Sequence, residues 1–287
     1  MDTALTVDNS TTAVAGNSVA ELLWPATSPQ LLSLLWLSSP TLPTGAFAFS
    51  QGLEYCFSAG IITTAADLQA YLADELNLVW PYWDLPLLKR MYETLAMVPA
   101  TQVSATHWQE CQRLNELLLS GRESKELLQE ELSVGNALKR LLLHLKVLPE
   151  VISNELQAYS SCGAVLGWAL FAAFMPQQIV SSLPPLVEVQ RAAVPPRAAQ
   201  ESVAGNSVAL LQSYTFALVQ GAICTACKAM PLGQNAGQEV LLHLLPLLPP
   251  AITTALHVTD EDMGCALPLT AIASACHETQ YARIFRS

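Results

Sequence analysis

Apolar residues recur at three- and four-residue spacings through most of the chain, and no run alternates with the period of two expected of a strand. Ser28-Pro29 supplies a cap and a first-turn proline ahead of Leu31, Leu32, Leu34 and Leu35, and this helix stops at Ser38-Ser39-Pro40. A second helix is expected over residues 47–59, closed by Gly60. Thr64 and Asp67 have the form of a capping box, after which Leu68, Leu72, Leu76 and Val79 recur on one face. Trp108, Cys111, Leu114 and Leu118 repeat the pattern before Gly121, and Leu127, Leu128, Leu138, Leu141, Leu142 and Leu145 repeat it afterwards. Residues 155–174 read as one interior helix, with Ser160, Ser161, Gly163 and Ala164 small enough for close approach of a neighbour. Helices are further expected over 208–229, from an N-cap at Asn235 onward, and over 267–280.

Pro184, Pro185, Pro195 and Pro196 interrupt the pattern and mark 176–206 as an internal loop, while residues 1–27 read as a flexible leader. The expected architecture is all-α, a single-domain helical bundle of about eight to ten helices over residues 28–280. Residues 281–287 form a separate C-terminal tail. The heptapeptide beginning at Val14 recurs from Val203, but one pair of copies is not a solenoid repeat.

Composition narrows the class. Hydrophobic residues make up 52% of the chain and charged residues only 13%, so the interior is large or partners cover apolar surface. Neither of the two most apolar stretches reads as a membrane span, because 31–37 is too short and 240–258 contains Pro246, Pro249 and Pro250. Residues 1–16 lack the basic start of a secretory signal, so a cytoplasmic protein is expected. Seven cysteines scattered through such a chain read as small buried hydrophobes in a reducing compartment. A net charge of -11 without a Lys/Arg cluster argues against a nucleic-acid groove.

Against that acidic background the C-terminus stands out. After Lys228 the only Lys or Arg residues are Arg283 and Arg286, interleaved with Tyr281, Ile284 and Phe285. Aromatic and arginine side chains are enriched at the centres of protein interfaces, so these five residues read as a partner-docking peptide. Residues 39–54 form a second unusual block, with Pro40, Pro43 and Gly45 shaping a turn and Phe47 and Phe49 entering before Ser50, Gln51 and Glu54. Ser50 and Glu54 would lie one helical turn apart, suited to capping or to a polar interface rim. Gln234, beside Asn235, marks a third polar junction, which reads either as a helix start after a turn or as a partner-facing contact.

Catalytic motifs are missing from the sequence. Ser50 lies in Phe-Ser-Gln-Gly rather than a nucleophile elbow, and no phosphate-binding loop occurs. No catalytic residue, cofactor or metal site is expected. The competing reading is a metal-binding or thiol-redox protein built on Cys224 and Cys227, although a closed structural zinc site needs four ligands. His277, between Cys276 and Glu278, reads as part of a surface cluster.

Three blocks together, residues 39–54, Pro231 to Gln238 and His277 to Ser287, resemble the urease accessory protein family UreF. Arg122-Glu-Ser-Lys-Glu126 is compatible with the same pattern. The resemblance covers roughly residues 30–175 and 207–287. It implies an all-helical, commonly homodimeric protein without catalytic activity, placed between UreD (UreH in some organisms) and the nickel-carrying GTPase UreG, in an assembly that loads apo-urease. It also implies that Tyr281, Arg283, Ile284, Phe285 and Arg286 lie against UreD/UreH.

Overall fold

The computed structural model describes residues 28–181, 196–264 and 267–286. Among these residues no strand occurs, and the all-α expectation holds. The first half comprises α1 (Ser28–Leu37), α2 (Leu53–Ser58), α3 (Ala65–Asp74), α4 (Asp84–Ala96), α5 (Ala105–Ser120) and α6 (Lys125–Leu145). The second comprises α7 (Glu150–Ala158), α8 (Ala164–Ser181), α9 (Pro196–Ala229), α10 (Gln234–Leu244), α11 (Leu248–His257) and α12 (Pro268–His277). The segments are more numerous than the periodicity suggests because the helix expected over 155–174 divides into α7 and α8, the one expected from Asn235 onward divides into α10 and α11, and α4 is not among those expected.

α8 is the axis of the molecule. Val165, Leu166, Ala169, Leu170, Phe171 and Ala172 are all buried, so the helix is apolar around its circumference, and α1, α4 and α6 sheathe it. Trp36 of α1 meets Phe171 edge to face at 5.3 Å, and Trp168 meets Tyr214 of α9 the same way at 5.0 Å. α9 packs along α4, α1 and α2, and α10 fills the space between α9 and α3.

The capping box forms as expected: Thr64 Oγ1 accepts from the Asp67 amide at 3.1 Å, and Asp67 accepts from the Thr64 amide at 2.9 Å. Beyond Asp74 the chain widens into a π turn over Glu75–Val79, which brings Glu75 into the interior.

Residues 155–174 do not form one helix. The backbone leaves α7 at Tyr159, and Asn115 and Glu131 take over its hydrogen bonds. The Asn115 amide donates to Ser161 O at 2.8 Å, Asn115 Oδ1 accepts from Gly163 N at 3.0 Å, and Glu131 Oε1 accepts from Val165 N at 3.0 Å. This bend lies against Gly135 of α6, where a Cβ would fall 2.1 Å from Cys162 O. The small residues there do permit close approach, but of a loop onto a helix.

Three further boundaries shift. α8 continues to Ser181 and α9 begins at Pro196, so the ends of the expected 176–206 loop are helical, and 182–195 lies outside the described residues. α10 starts at Gln234 with Gly233, not Asn235, at its N-cap. The leader and the first copy of the heptapeptide also lie outside the described residues, and the second copy lies within α9.

Two helical stretches, Gly205–Ala229 and Gln234–His257, are long and apolar enough to cross a membrane by length and composition. In this fold Leu210, Leu211, Val219, Val240 and Leu244 from those stretches lie in the core. Cys56, Cys111 and Cys162 are buried as expected, whereas Cys224 is exposed and Cys227 and Cys276 are half-buried.

Candidate functional site

The block at 39–54 is a loop up to Gly52 and enters a helix only at Leu53, six residues later than expected. Gly45 has φ 72°, a short 3-10 turn follows over Ala46–Ala48, and Gln51 and Gly52 both adopt left-handed backbone at φ 54° and 81°. α2 therefore begins only at Leu53, and Ser50 and Glu54 do not share a helical face. The physical reason is contact with α12: a Cβ on Gly52 would lie 2.7 Å from Ser274 N and 3.1 Å from the Ala273 side chain. Only glycine lets these backbones meet. Phe49 and Ser50 are buried beneath the loop, while Phe47 is 70% exposed.

α12 is tied down along its length. Thr270 bonds to Glu75 and, at 2.7 Å, to the Tyr71 hydroxyl. Burial raises the Glu75 carboxyl above its usual range, against the opposing effect of the Thr270 and Tyr71 hydrogen bonds. Ser274 Oγ lies 2.6 Å from Ser124 Oγ, the residue that caps α6 by accepting from Leu127 N.

At the end of α12, His277 is fully buried, in contrast to the surface position expected of it. Its Nδ1 is 2.7 Å from Glu126 Oε2 and its Nε2 is 2.9 Å from Glu54 Oε2. Glu126 also accepts from Arg283 Nη1 at 2.8 Å. Glu54 accepts from two successive tail amides, Ile284 N at 2.6 Å to Oε1 and Phe285 N at 2.9 Å to Oε2. The cluster thus joins the 39–54 block, the start of α6 and the C-terminal block.

The tail runs back across the molecule. Gln280 Nε2 donates to Ala282 O at 2.8 Å to turn the chain, and Arg286 N donates to Ala48 O at 2.8 Å. Phe285 is buried, with Lys228 Nζ 5.8 Å from its ring centroid and 5.5 Å from that of Phe47. Tyr281 and Ile284 stay exposed, as do Arg283 and Arg286. Phe47 and Phe285 thus share Lys228, and Tyr281, Arg283, Ile284 and Arg286 are exposed along the tail that Phe285 anchors.

The sequence-predicted residues divide accordingly. Tyr281, Arg283, Ile284 and Arg286 reach the surface, and Phe285 anchors them from below. Ser50 and Glu54 are buried rather than on a rim, and Gln51 donates to Glu130 Oε1 at 3.0 Å. Gln234 is exposed at the first position of α10, and among the described residues none of the tail's hydrogen bonds involves it. Sequence reading missed Glu126, Lys228, Gly52 and Ser274. For Glu126 the available signal was its place in the Arg122–Glu126 block, but nothing local paired it with His277.

A second charged cluster backs the first. Arg122 Nη2 lies 2.6 Å from Asp84 Oδ1 and 2.7 Å from Glu131 Oε2. Burial works against the guanidinium charge, yet the charges of Asp84 and Glu131 outweigh it and hold Arg122 well above its usual value. Cys224 and Cys227 lie on α9, with Cys227 Sγ close to where a Gly237 Cβ would sit, at 3.1 Å. Burial, followed by the neighbouring Cys224, raises the Cys227 thiol, which disfavours the reactive thiolate. Among the described residues no group of three or more His, Cys, Asp or Glu is arranged to hold a metal ion.

Fold and site together define an all-helical protein whose C-terminal tail folds back onto its own body and exposes apolar and cationic side chains. A family model described as UreF matches residues 62–180. A urease accessory protein UreF from Chromohalobacter salexigens is 35% identical over 257 residues, covering 90% of this chain and 94% of the relative. One from Nitrosococcus oceani is 32% identical over 265 residues, covering 92% and 99%. The chain belongs to the urease accessory protein UreF family.

Proposed function

We propose that the chain is a non-catalytic, cytoplasmic scaffold, acting as a homodimer, that bridges UreD/UreH and the GTPase UreG and couples GTP hydrolysis to nickel delivery into apo-urease. The observation that carries this reading is the tail: Tyr281 and Ile284 are exposed together with Arg283 and Arg286, and Phe285 anchors them beside Lys228 and the exposed Phe47, in a chain of net charge -11. Exposed aromatic and aliphatic side chains flanked by arginine have the composition of an interface centre. UreD/UreH is assigned to this tail. Gln51 and Gln234 are further contacts, and Ser50, Glu54 and Phe285 act from beneath by shaping the surface. Coupling requires only that the scaffold bind the GTPase's nucleotide states with different affinity, which needs no reactive group in this chain.

Co-purification with UreD and UreG tests the proposal, comparing the full chain with one truncated after Gln280. Loss of the complex on truncation is expected. Retention of UreD by the truncated chain would overturn the assignment.

A further inference from the structure

Between the loop at 39–51 and α9 lies a cavity of about 210 Å³. Leu37, Leu42, Phe49, Leu53, Val134 and Trp168 give it apolar walls. Its two ends differ in charge. Ala46, Gln51, Glu130 and Trp168 also line a second cavity of about 180 Å³, so they mark the inner end, where the Glu130 carboxylate accepts from Gln51 Nε2 at 3.0 Å. Phe47, Gly221, Cys224 and Lys228 line the first cavity and not the second, and all four are exposed, so they mark its mouth.

Among the described residues Lys228 has no carboxylate partner. Its ammonium stands over the Phe47 and Phe285 rings at 5.5 and 5.8 Å and reaches Phe47 O at 3.5 Å. At that length the hydrogen bond is weak, and an ammonium carries three donors, so most of its bonding capacity stays open at the mouth. An apolar cavity with a cation at its mouth and a carboxylate at its inner end selects one polarity of ligand. We propose that this cavity binds a short, unbranched aliphatic monocarboxylate, with the carboxylate on Lys228 and the chain running inward between Phe49, Leu53 and Trp168. A second carboxylate at the far end of the chain would meet Glu130 and be repelled. The volume sets the length: pockets for drug-sized ligands enclose roughly 300–1,000 Å³, and this smaller space suits a chain of only a few methylenes.

The site goes beyond the proposed role in urease maturation and is tested on the isolated full-length chain. Titration calorimetry with hexanoate, heptanoate and octanoate should show saturable binding at one site per chain. Affinity should rise about fourfold for each added methylene until the cavity is full. Octanedioate should bind at least tenfold more weakly than octanoate. Lys228→Met removes an exposed charge without touching the core, and it should cost octanoate at least tenfold in affinity while leaving 1-octanol unchanged. Cys224 reports occupancy directly: octanoate should slow its alkylation by iodoacetamide at least fivefold, while Cys276, which lines neither cavity, reacts at the same rate as before. The proposal is overturned if octanoate leaves Cys224 alkylation unaltered, if octanedioate binds as well as octanoate, or if Lys228→Met weakens octanol and octanoate equally. None of these readouts involves UreD or UreG, so failure here leaves the proposed function standing, and failure of the co-purification leaves this site standing.

Discussion

Gly52 shows how much a single position carries. Its φ of 81° is strained for any residue with a Cβ, and that Cβ would also meet Ser274 N at 2.7 Å, a backbone atom with little freedom to move. Gly52→Ala is expected to cost about 1–3 kcal/mol in urea unfolding, with the tail amides losing protection as α12 shifts. Arg122 is a second such position. Arg122→Met would leave Asp84 and Glu131 buried and unpaired, and a loss of about 3–5 kcal/mol is expected, read by the same unfolding measurement. Glu75 carries the pH dependence. Its carboxyl is raised by burial, so the folded chain holds the proton more tightly than the unfolded one. Its contribution is fully present below the usual carboxylate range and is lost as pH rises through the raised value. Glu75→Gln keeps an acceptor for Tyr71 and Thr270, so the stability difference between variant and parent should change in the variant's favour with rising pH. A pH series of unfolding midpoints checks the sign.

Among the elements, α7 and α8 show why a helix read from periodicity can turn out to be two. Asn115 and Glu131 offer side-chain partners for the backbone at 161–165, and these replace the hydrogen bonds of a continuous helix. Gly135→Ala would push a methyl into Cys162 O, and it is expected to destabilise the chain by about 1–3 kcal/mol or more, since backbone must yield. Circular dichroism of this variant should retain its helical signal while its denaturation midpoint falls. The tail poses the opposite question. Burying Phe285 contributes about 1.5–3 kcal/mol, whereas ordering backbone costs about 1–2 kcal/mol per residue. One aromatic anchor cannot hold Tyr281–Arg286 by itself. Hydrogen bonds to a charged carboxylate, each worth about 1.5–3 kcal/mol, are the terms that close the gap.

For the whole molecule, the core and the tail separate cleanly. The buried cluster runs continuously from Leu34 through α8 to Ala273 and does not include Phe285. Truncation after Gln280 is therefore expected to leave the thermal midpoint within about 4 °C of the full chain, because only peripheral contacts worth about 1 kcal/mol net are lost. A drop well beyond that in calorimetry would show that the tail belongs to the core. The same separation suits a docking element, which must respond to a partner without unfolding the body that carries it.

Sequence alone determined what depends on short-range pattern. Helical spacing defined the all-α class and located α3, α5 and α6, and the Thr64–Asp67 box formed where its spacing placed it, because such signals act within one or two turns. It also singled out Tyr281, Arg283, Ile284, Phe285 and Arg286, since charge and aromatic content can be counted without a fold. Only the tertiary structure could decide where the helix expected over 47–59 fails, that His277 is buried, and that Glu54 and Glu126 meet across more than seventy residues of chain. Those outcomes depend on which backbones pass close to one another. A glycine required by a neighbouring helix, or a histidine lodged between two carboxylates, has no periodic signature, because its cause lies in residues distant along the chain and adjacent only after folding.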